Sequence, residues 1–199
     1  MKMSKVLIGA GLACCLIAVI FAGRNFYESY QAGLLSAQVM DNLRDYSQAE
    51  SSGPVLSLPQ LSAVVTDMET IEIDGHSYAG SISIPSVSID LPVMADWSYE
   101  NLKIAPCVYE GSVFSSDLVI CAHNYRSHFG RLKNVQVDDV VVFTDVNGTE
   151  FQYRVGDIEI LDGNDTFNIT NSDWDLTLFT CTLDSKSRVT VRCQLDTDS

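Results

Sequence analysis

Near the C-terminus, the segment "LTLFTCTLDSKSRVTVRC" (176–193) sets a thiol, Cys181, at the end of one strand-like run and a guanidinium, Arg188, at the start of the next. A cysteine attacks as its thiolate, so a nucleophilic one needs a base or a positive neighbour. Arg188 is such a neighbour: a fixed guanidinium can stabilise a thiolate or the oxyanion of a tetrahedral intermediate. The candidate bases are His76, His123 and His128. His76 falls in a predicted turn, "DGHSY", and is expected in solvent, while His128 falls in a loop. His123 directly follows the apolar run "LVICA", so it leaves a strand end just as Cys181 does. Two strand-end residues of complementary chemistry point to a Cys–His pair. Arg192 shares a strand face with Arg188, since an even spacing returns to the same side. The two arginines can serve a site or simply be solvated on the surface.

The elements that must hold these groups read as short strands. "TIEIDGHSYAGSISIPSVSIDLPV" alternates apolar and polar residues, and Pro85 fits a bend between two strands better than the middle of one. "LVICAH" reads as a buried strand and "DVVVFTDVNGTEFQYRV" as a hairpin, with Asn147-Gly148 predicted as a type I′ turn. "IEIL" and the two runs around Cys181 and Arg188 complete the series, and only "SYENLKI" and "FGRLKNV" read as helical turns. Strands this short and numerous, without long helices between them, predict a closed or sandwiched all-β domain.

At 199 residues the chain has room for one ordinary domain plus an accessory segment. The uncharged run "VLIGAGLACCLIAVIFA" (6–22) rises roughly 26 Å as a helix, near the lower limit for crossing a bilayer. Lys2 and Lys5 precede it, which assigns that end to the cytoplasm. A retained anchor over 1–24 is therefore expected, with a cleaved signal peptide as the rival reading. Residues 25–69 are read as a juxtamembrane helical stalk and linker. Tyr27, Tyr30, Leu34, Val39, Leu43 and Tyr46 recur at helical spacing there, and "SSGP" at 51–54 breaks the helix. Lys2, Lys5 and Arg24 account for three of the 12 basic residues, so from Asn25 onward nine basic side chains meet all 26 acidic ones, a formal charge of −17. That balance excludes nucleic-acid binding, which needs a basic face. No D-x-D-x-D-G loop is present to hold Ca²⁺ and no C-x-x-C pair to hold zinc. The even count of Cys107, Cys121, Cys181 and Cys193 in an exported segment invites a disulfide reading, which their wide, irregular spacing weakens.

Together these motifs resemble the sortase family. "TLFTC" (177–181) matches the signature T-L-x-T-C, and Arg188 opens the following strand as the family's arginine does. "GSISIPSVSIDLPV" is similar to the family's opening strands. "SYENLKIAPCVYEGS" and "LVICAHNYRSHFGRLKNV" resemble the approach to its histidine and the turn beyond, and "DDVVVFTDVNGTEFQYRV" resembles the hairpin that follows. The resemblance spans about 70–195 in the family's order. It implies a mainly β fold, a closed eight-stranded barrel with short helices, as a catalytic domain over 70–199 behind the N-terminal transmembrane helix and stalk. It implies catalysis by Cys181 as nucleophile, His123 as general acid and base, and Arg188 as the substrate- and oxyanion-binding group, with Thr180 helping to shape the oxyanion site. The implied reaction is transpeptidation outside a Gram-positive membrane. A sorting signal such as Leu-Pro-x-Thr-Gly is cleaved through a thioester, and the acyl group passes to an amine on a peptidoglycan precursor or a protein. The implied localisation is the cell membrane, single-pass, with the catalytic domain outside. No metal is required, although some sortases bind Ca²⁺.

The chain departs from the family pattern in places. Many sortases place Gly before the histidine, whereas here Cys121-Ala122 precede His123. Cys121 shares a face with His123 and is read as a buried bystander. The turn between Cys181 and Arg188 is short, and neither an Asp-Pro-aromatic lid nor a second hydrophobic segment is visible, which disfavours the pilin-polymerising class. Arg192 and Cys193 become scaffold. The alternatives are a thiol peptidase that only hydrolyses and a non-enzymatic anchored surface domain.

Overall fold

The structure, a computed structural model, describes residues 2–51 and 67–197. Helix α1 (Lys2–Ser51) is followed by β1 (Ile71–Ile73), β2 (His76–Ile84), β3 (Ile89–Met94), β4 (Cys107–Glu110), β5 (Leu118–Ala122), β6 (Val140–Asp145), β7 (Glu150–Asp162), α2 (Thr166–Thr170), β8 (Leu176–Cys181) and β9 (Ser187–Leu195). Of the predicted breaker "SSGP", all but Ser51 lies outside the described residues. "SYENLKI" and "FGRLKNV" contain short 3₁₀ turns at Asn101–Lys103 and Phe129–Asn134, and Pro85–Val87 forms the predicted bend between β2 and β3.

Strand pairing runs β2-β3-β4-β5-β8-β9-β7-β6 and returns from β6 to β2, so eight strands close a barrel, and β1 adds a short ninth strand beside β2. The β3–β4 and β5–β8 pairs are parallel and the others antiparallel. Closure abolishes the free edges that an open sheet would present to other chains. It requires the backbones of β2 and β6 to come very close at Gly80, where a Cβ would stand 2.1 Å from the Thr144 carbonyl oxygen and φ is 152°. Only glycine fits there.

Alternation fills the barrel. Ile82, Ile84, Leu91, Val93, Leu118, Ile120, Phe143, Leu176, Leu178 and Val191 are buried in one core cluster. Period-two patterning then sends the intervening residues of β5 and β8 outward.

The type I′ geometry occurs at a different hairpin from the one predicted. The β1–β2 turn carries positive φ at both Asp74 (51°) and Gly75 (78°), the two-residue geometry expected of a type I′ hairpin. At Asn147-Gly148 only Gly148 is positive (83°). Gly148 N–H bonds the Asp145 carbonyl at 3.1 Å, while the Asp145 carboxylate accepts from the amides of Asn147 (2.9 Å) and Thr149 (2.8 Å). The aspartate stabilises a longer loop, and the predicted I′ turn does not form there. "IEIL" is likewise not a separate strand: β7 runs 13 residues through a register shift at Gly156.

α1 joins the predicted anchor and stalk in one helix. It is long and apolar enough near its start to cross a membrane. Its later turns lie along the barrel, where Ala32, Ser36, Val39, Met40 and Leu43 are buried. Val39, Met40 and Leu43 form a second core cluster with Ile73, Tyr78, Met94, Ala105, Cys107 and Cys121. Burying these three side chains contributes on the order of 5 kcal/mol. Ser36 Oγ donates to the Ile104 carbonyl at 3.1 Å, and Arg44 pairs with Asp90 at 2.6 Å on the exposed rim. The predicted apolar face is only partly the docked one, because Tyr27, Tyr30, Leu34 and Tyr46 stay exposed. Ala32 and Ser36 are the most buried residues of this face, and hydropathy spacing gives such small residues no weight.

Candidate active site

The parallel pairing of β5 with β8 builds the site. Ile120 lies beside Leu178, Cys121 beside Phe179 and Ala122 beside Thr180. One residue further along, His123 and Cys181 stand at the C-terminal ends of adjacent strands. On the other side of β8, Cys181 is directly opposite Arg188 on β9. The three sequence-predicted residues therefore stand at one end of the barrel on three neighbouring strands, each half-buried, but the Arg188 guanidinium lies against Gly163 and the Ser185 carbonyl and not among the residues lining the Cys181 cleft. Thr180, buried just before the thiol, donates from Oγ1 to the Ala122 carbonyl at 2.8 Å. Its hydroxyl ties the end of β8 to the residue preceding His123.

Beyond the strand ends a cleft of about 390 Å³ opens beside Cys181. Asn124, Lys133, Thr182, Leu183, Asp184 and Val189 contribute to its walls. Asn124 Nδ2 bonds the Thr182 carbonyl at 3.3 Å and so links the segments leaving β5 and β8. The turn after Cys181 is tight. Thr182 N–H bonds Ser187 O at 2.9 Å, Ser187 N–H bonds Thr182 Oγ1 at 3.1 Å, and Ser185 is left-handed (φ 59°). The Thr182 hydroxyl and the Lys186 amide bond the Asp184 carboxylate and hold its pKa below the usual value. Sequence reading did not single out Asn124, Lys133 or Asp184. Asn124 and Asp184 carried a signal in being polar residues immediately beyond the two strand ends.

Burial lowers the pKa of His123, and the Lys103 ammonium acts in the same direction while Glu28 opposes it. A ring below its ordinary 6.5 is mostly neutral at pH 7 and can accept a proton. Tyr125 packs against it with ring centroids 4.8 Å apart. Arg188 Nη1 donates to the carbonyls of Ser187 (3.2 Å) and Ser185 (3.4 Å), which fixes the guanidinium at the head of β9.

The remaining candidates separate from this group. His76 is half-buried at the start of β2. His128 is not an exposed loop residue: it is 1% exposed and neither ring nitrogen has a hydrogen-bond partner among the described residues. Arg192, which could have been a solvated surface arginine, is 3% exposed and works as scaffold. It donates to Glu159, Ser172, Thr177 and the Ile169 and Asn168 carbonyls. Cys193 is buried in the barrel core. Cys107 and Cys121 are buried opposite one another, and all four cysteines after α1 are free thiols. Burial pushes the Cys107 thiol up to about 12 and those of Cys121 and Cys193 higher still, so these three stay protonated, whereas Cys181 is partly open to solvent.

A closed β-barrel that presents a thiol and an imidazole on adjacent strand ends, with a guanidinium across the next strand, has the parts needed for thiol-based acyl transfer. The Sortase domain model matches residues 82–196, more than half of the chain. The protein belongs to the sortase family, the cysteine transpeptidases of surface proteins. Sortase A of Bacillus anthracis is 26% identical over 200 residues, covering 90% of this chain and 89% of that protein. Among solved structures, Sortase A from Corynebacterium diphtheriae aligns with a TM-score of 0.56 at 19% identity, over 89% of this chain and 94% of that one. Sortase C from Clostridium perfringens SM101 aligns with a TM-score of 0.53 at 22% identity, over 80% and 88%. These structural matches agree with the eight-stranded closed barrel.

Proposed function

We propose that the protein is a membrane-anchored transpeptidase in which Cys181 cleaves an LPxTG-like sorting signal and hands the acyl group to an amine. The single observation that carries the assignment of residues is the β5–β8 register, Ala122 beside Thr180, which makes His123 and Cys181 neighbours. His123 accepts the thiol proton as sulfur adds to the scissile carbonyl, and returns it to the departing amine as the thioester forms. An incoming amine gives its proton to the same ring when it attacks the thioester. Arg188 binds the substrate backbone and the developing oxyanion, and Thr180 shapes that position by holding the two strand ends together. α1 crosses the membrane once and leaves the barrel outside. The acceptor is an amine on a peptidoglycan precursor or on a protein.

The test is a panel of sorting-signal peptides incubated with the full chain and with Cys181→Ala, with and without an added amine. Cleavage is expected to require Cys181, to fall at least about 100-fold in His123→Ala, and to give aminolysis product when amine is present. Cleavage by Cys181→Ala would refute the nucleophile. Robust hydrolysis without any aminolysis product would make the protein a peptidase instead. In the same preparation a thiol reagent should label Cys181 ahead of Cys107, Cys121 and Cys193. An inert Cys181 would favour a non-enzymatic surface domain.

A further inference from the structure

The chain carries a formal charge of −14, yet the 20 residues from Leu118 to Val137 contain Arg126, Arg131 and Lys133 and no carboxylate at all. Two of these arginines face α1 across a groove of about 480 Å³, whose other wall includes Phe26, Tyr30 and Leu34. The groove is built, because Ser127 Oγ donates to the Ser29 carbonyl at 2.7 Å and so fastens the loop after His123 onto the helix. Arg131 is committed to the Ser88 carbonyl at 2.7 Å. Arg126 is exposed and has no hydrogen-bond or ion-pair partner among the described residues. Phe26, Tyr27 and Tyr30 are each more than half exposed, a costly display of aromatic surface in water.

The position along α1 explains what such a surface meets. Helix α1 is continuous from the apolar run, so Phe26 stands about 6 Å and Tyr30 about 12 Å beyond Ala22 at 1.5 Å per residue. The headgroup layer extends about 5 to 8 Å past the hydrocarbon on each side. Helical side chains lean toward the N-terminus, so both rings hang back toward that layer, where aromatic residues and arginines gather in membrane proteins. On the reading that α1 spans the membrane, we propose that this groove is a membrane-contact site that holds the phosphate of an anionic lipid headgroup at Arg126, with Phe26 and Tyr30 seated beside it. The loop between His123 and His128 forms one wall of the groove, and Asn124 at its start lines the Cys181 cleft. Lipid contact thus fixes the height of the cleft above the bilayer.

The experiment places the full chain in nanodiscs containing a phosphatidylglycerol analogue with a photoreactive headgroup, followed by mass-spectrometric mapping of the adducts. Adducts are expected within 26–34 and 124–131 as well as near 6–22. Arg126→Glu should lower the groove adducts about tenfold or more, by reversing a charge at an anionic surface, and Arg126→Lys should retain them. Both variants should keep the adducts near 6–22 and the cleavage of a soluble sorting peptide. Adducts confined to 6–22 would overturn the site while leaving the spanning helix intact, and absence of adducts there as well would overturn both. Equal labelling in Arg126→Glu, or by the same photoprobe carried on phosphatidylcholine, would overturn the anionic assignment.

Discussion

His128 is buried with its ring 5.5 Å from that of Tyr125 and with both ring nitrogens unpartnered among the described residues, so the protein tolerates it only in the neutral form. Burial draws its pKa from 6.5 down to about 4, and the nearby His123 acts in the same direction. The Ile104 carbonyl pulls weakly the other way without reaching hydrogen-bond geometry. The unfolded chain binds this proton once the pH drops below about 6.5, and the folded chain resists until about 4. Stability from the neutral ring is therefore complete above 6.5 and is lost as pH falls through that window, with an upper bound on the order of 3 kcal/mol. Thermal melts from pH 7 to pH 4 should show wild type losing more stability than His128→Phe, with the gap between them changing across the window. Parallel curves would mean that the ring does not titrate as described. The sequence set His123 and Cys181 at strand ends, where the structure has them, because a strand's end is a local feature. It misjudged His128 because a loop position carries no sign of the tertiary packing that buries this ring, here beside Tyr125 and near the Ile104 carbonyl.

At the scale of elements, Arg192 organises the crossover between β7 and β8. It binds the Ile169 and Asn168 carbonyls of α2 and reaches Ser172 and Thr177, while Glu159 neutralises it from β7. Arg192→Leu keeps much of the apolar stem but leaves the Ile169 carbonyl and the Thr177 hydroxyl buried without a donor. A loss of about 3 kcal/mol is expected, the lower end for a broken buried ion pair because Glu159 is partly solvated. Denaturant midpoints at an unchanged slope measure it, and a change under 1 kcal/mol would show that water replaces the guanidinium. Element type was well signalled by alternation, whereas boundaries depended on particular side chains. Asp74-Gly75 has the I′ geometry, with positive φ at both residues, while Asp145 captures the amides around Asn147-Gly148 and imposes a longer loop. The five-residue α2 has no periodicity to display and rests on its Asp165 cap, whose side chain accepts from Asn168 N–H at 3.2 Å.

For the whole molecule, α1 and the barrel share a core cluster, so how tightly the helix is latched is measurable. Leu43→Asp sets a carboxylate among Tyr78, Met94 and the neighbouring apolar groups and removes about 2 kcal/mol of burial. Amide exchange should then rise roughly 30-fold across 32–47 while the barrel strands keep their protection. Equal loss of protection in both would show that helix and barrel unfold as one cooperative unit.

Strand order carries a further consequence, for when the three proposed site residues come together. β9 is the last strand in the chain, yet it lies between β7 and β8 and joins them. Until it is available, β7 lacks a partner on one side and β8 holds only to β5, a strand more than 50 residues earlier. A nascent chain delivered from its N-terminus thus carries His123 long before a rigid neighbour exists to receive it. Cys181 and Arg188 are fixed only when the final ladder zips. On the proposed assignment, the nucleophile, base and guanidinium are therefore brought together only once β9 has joined β7 and β8.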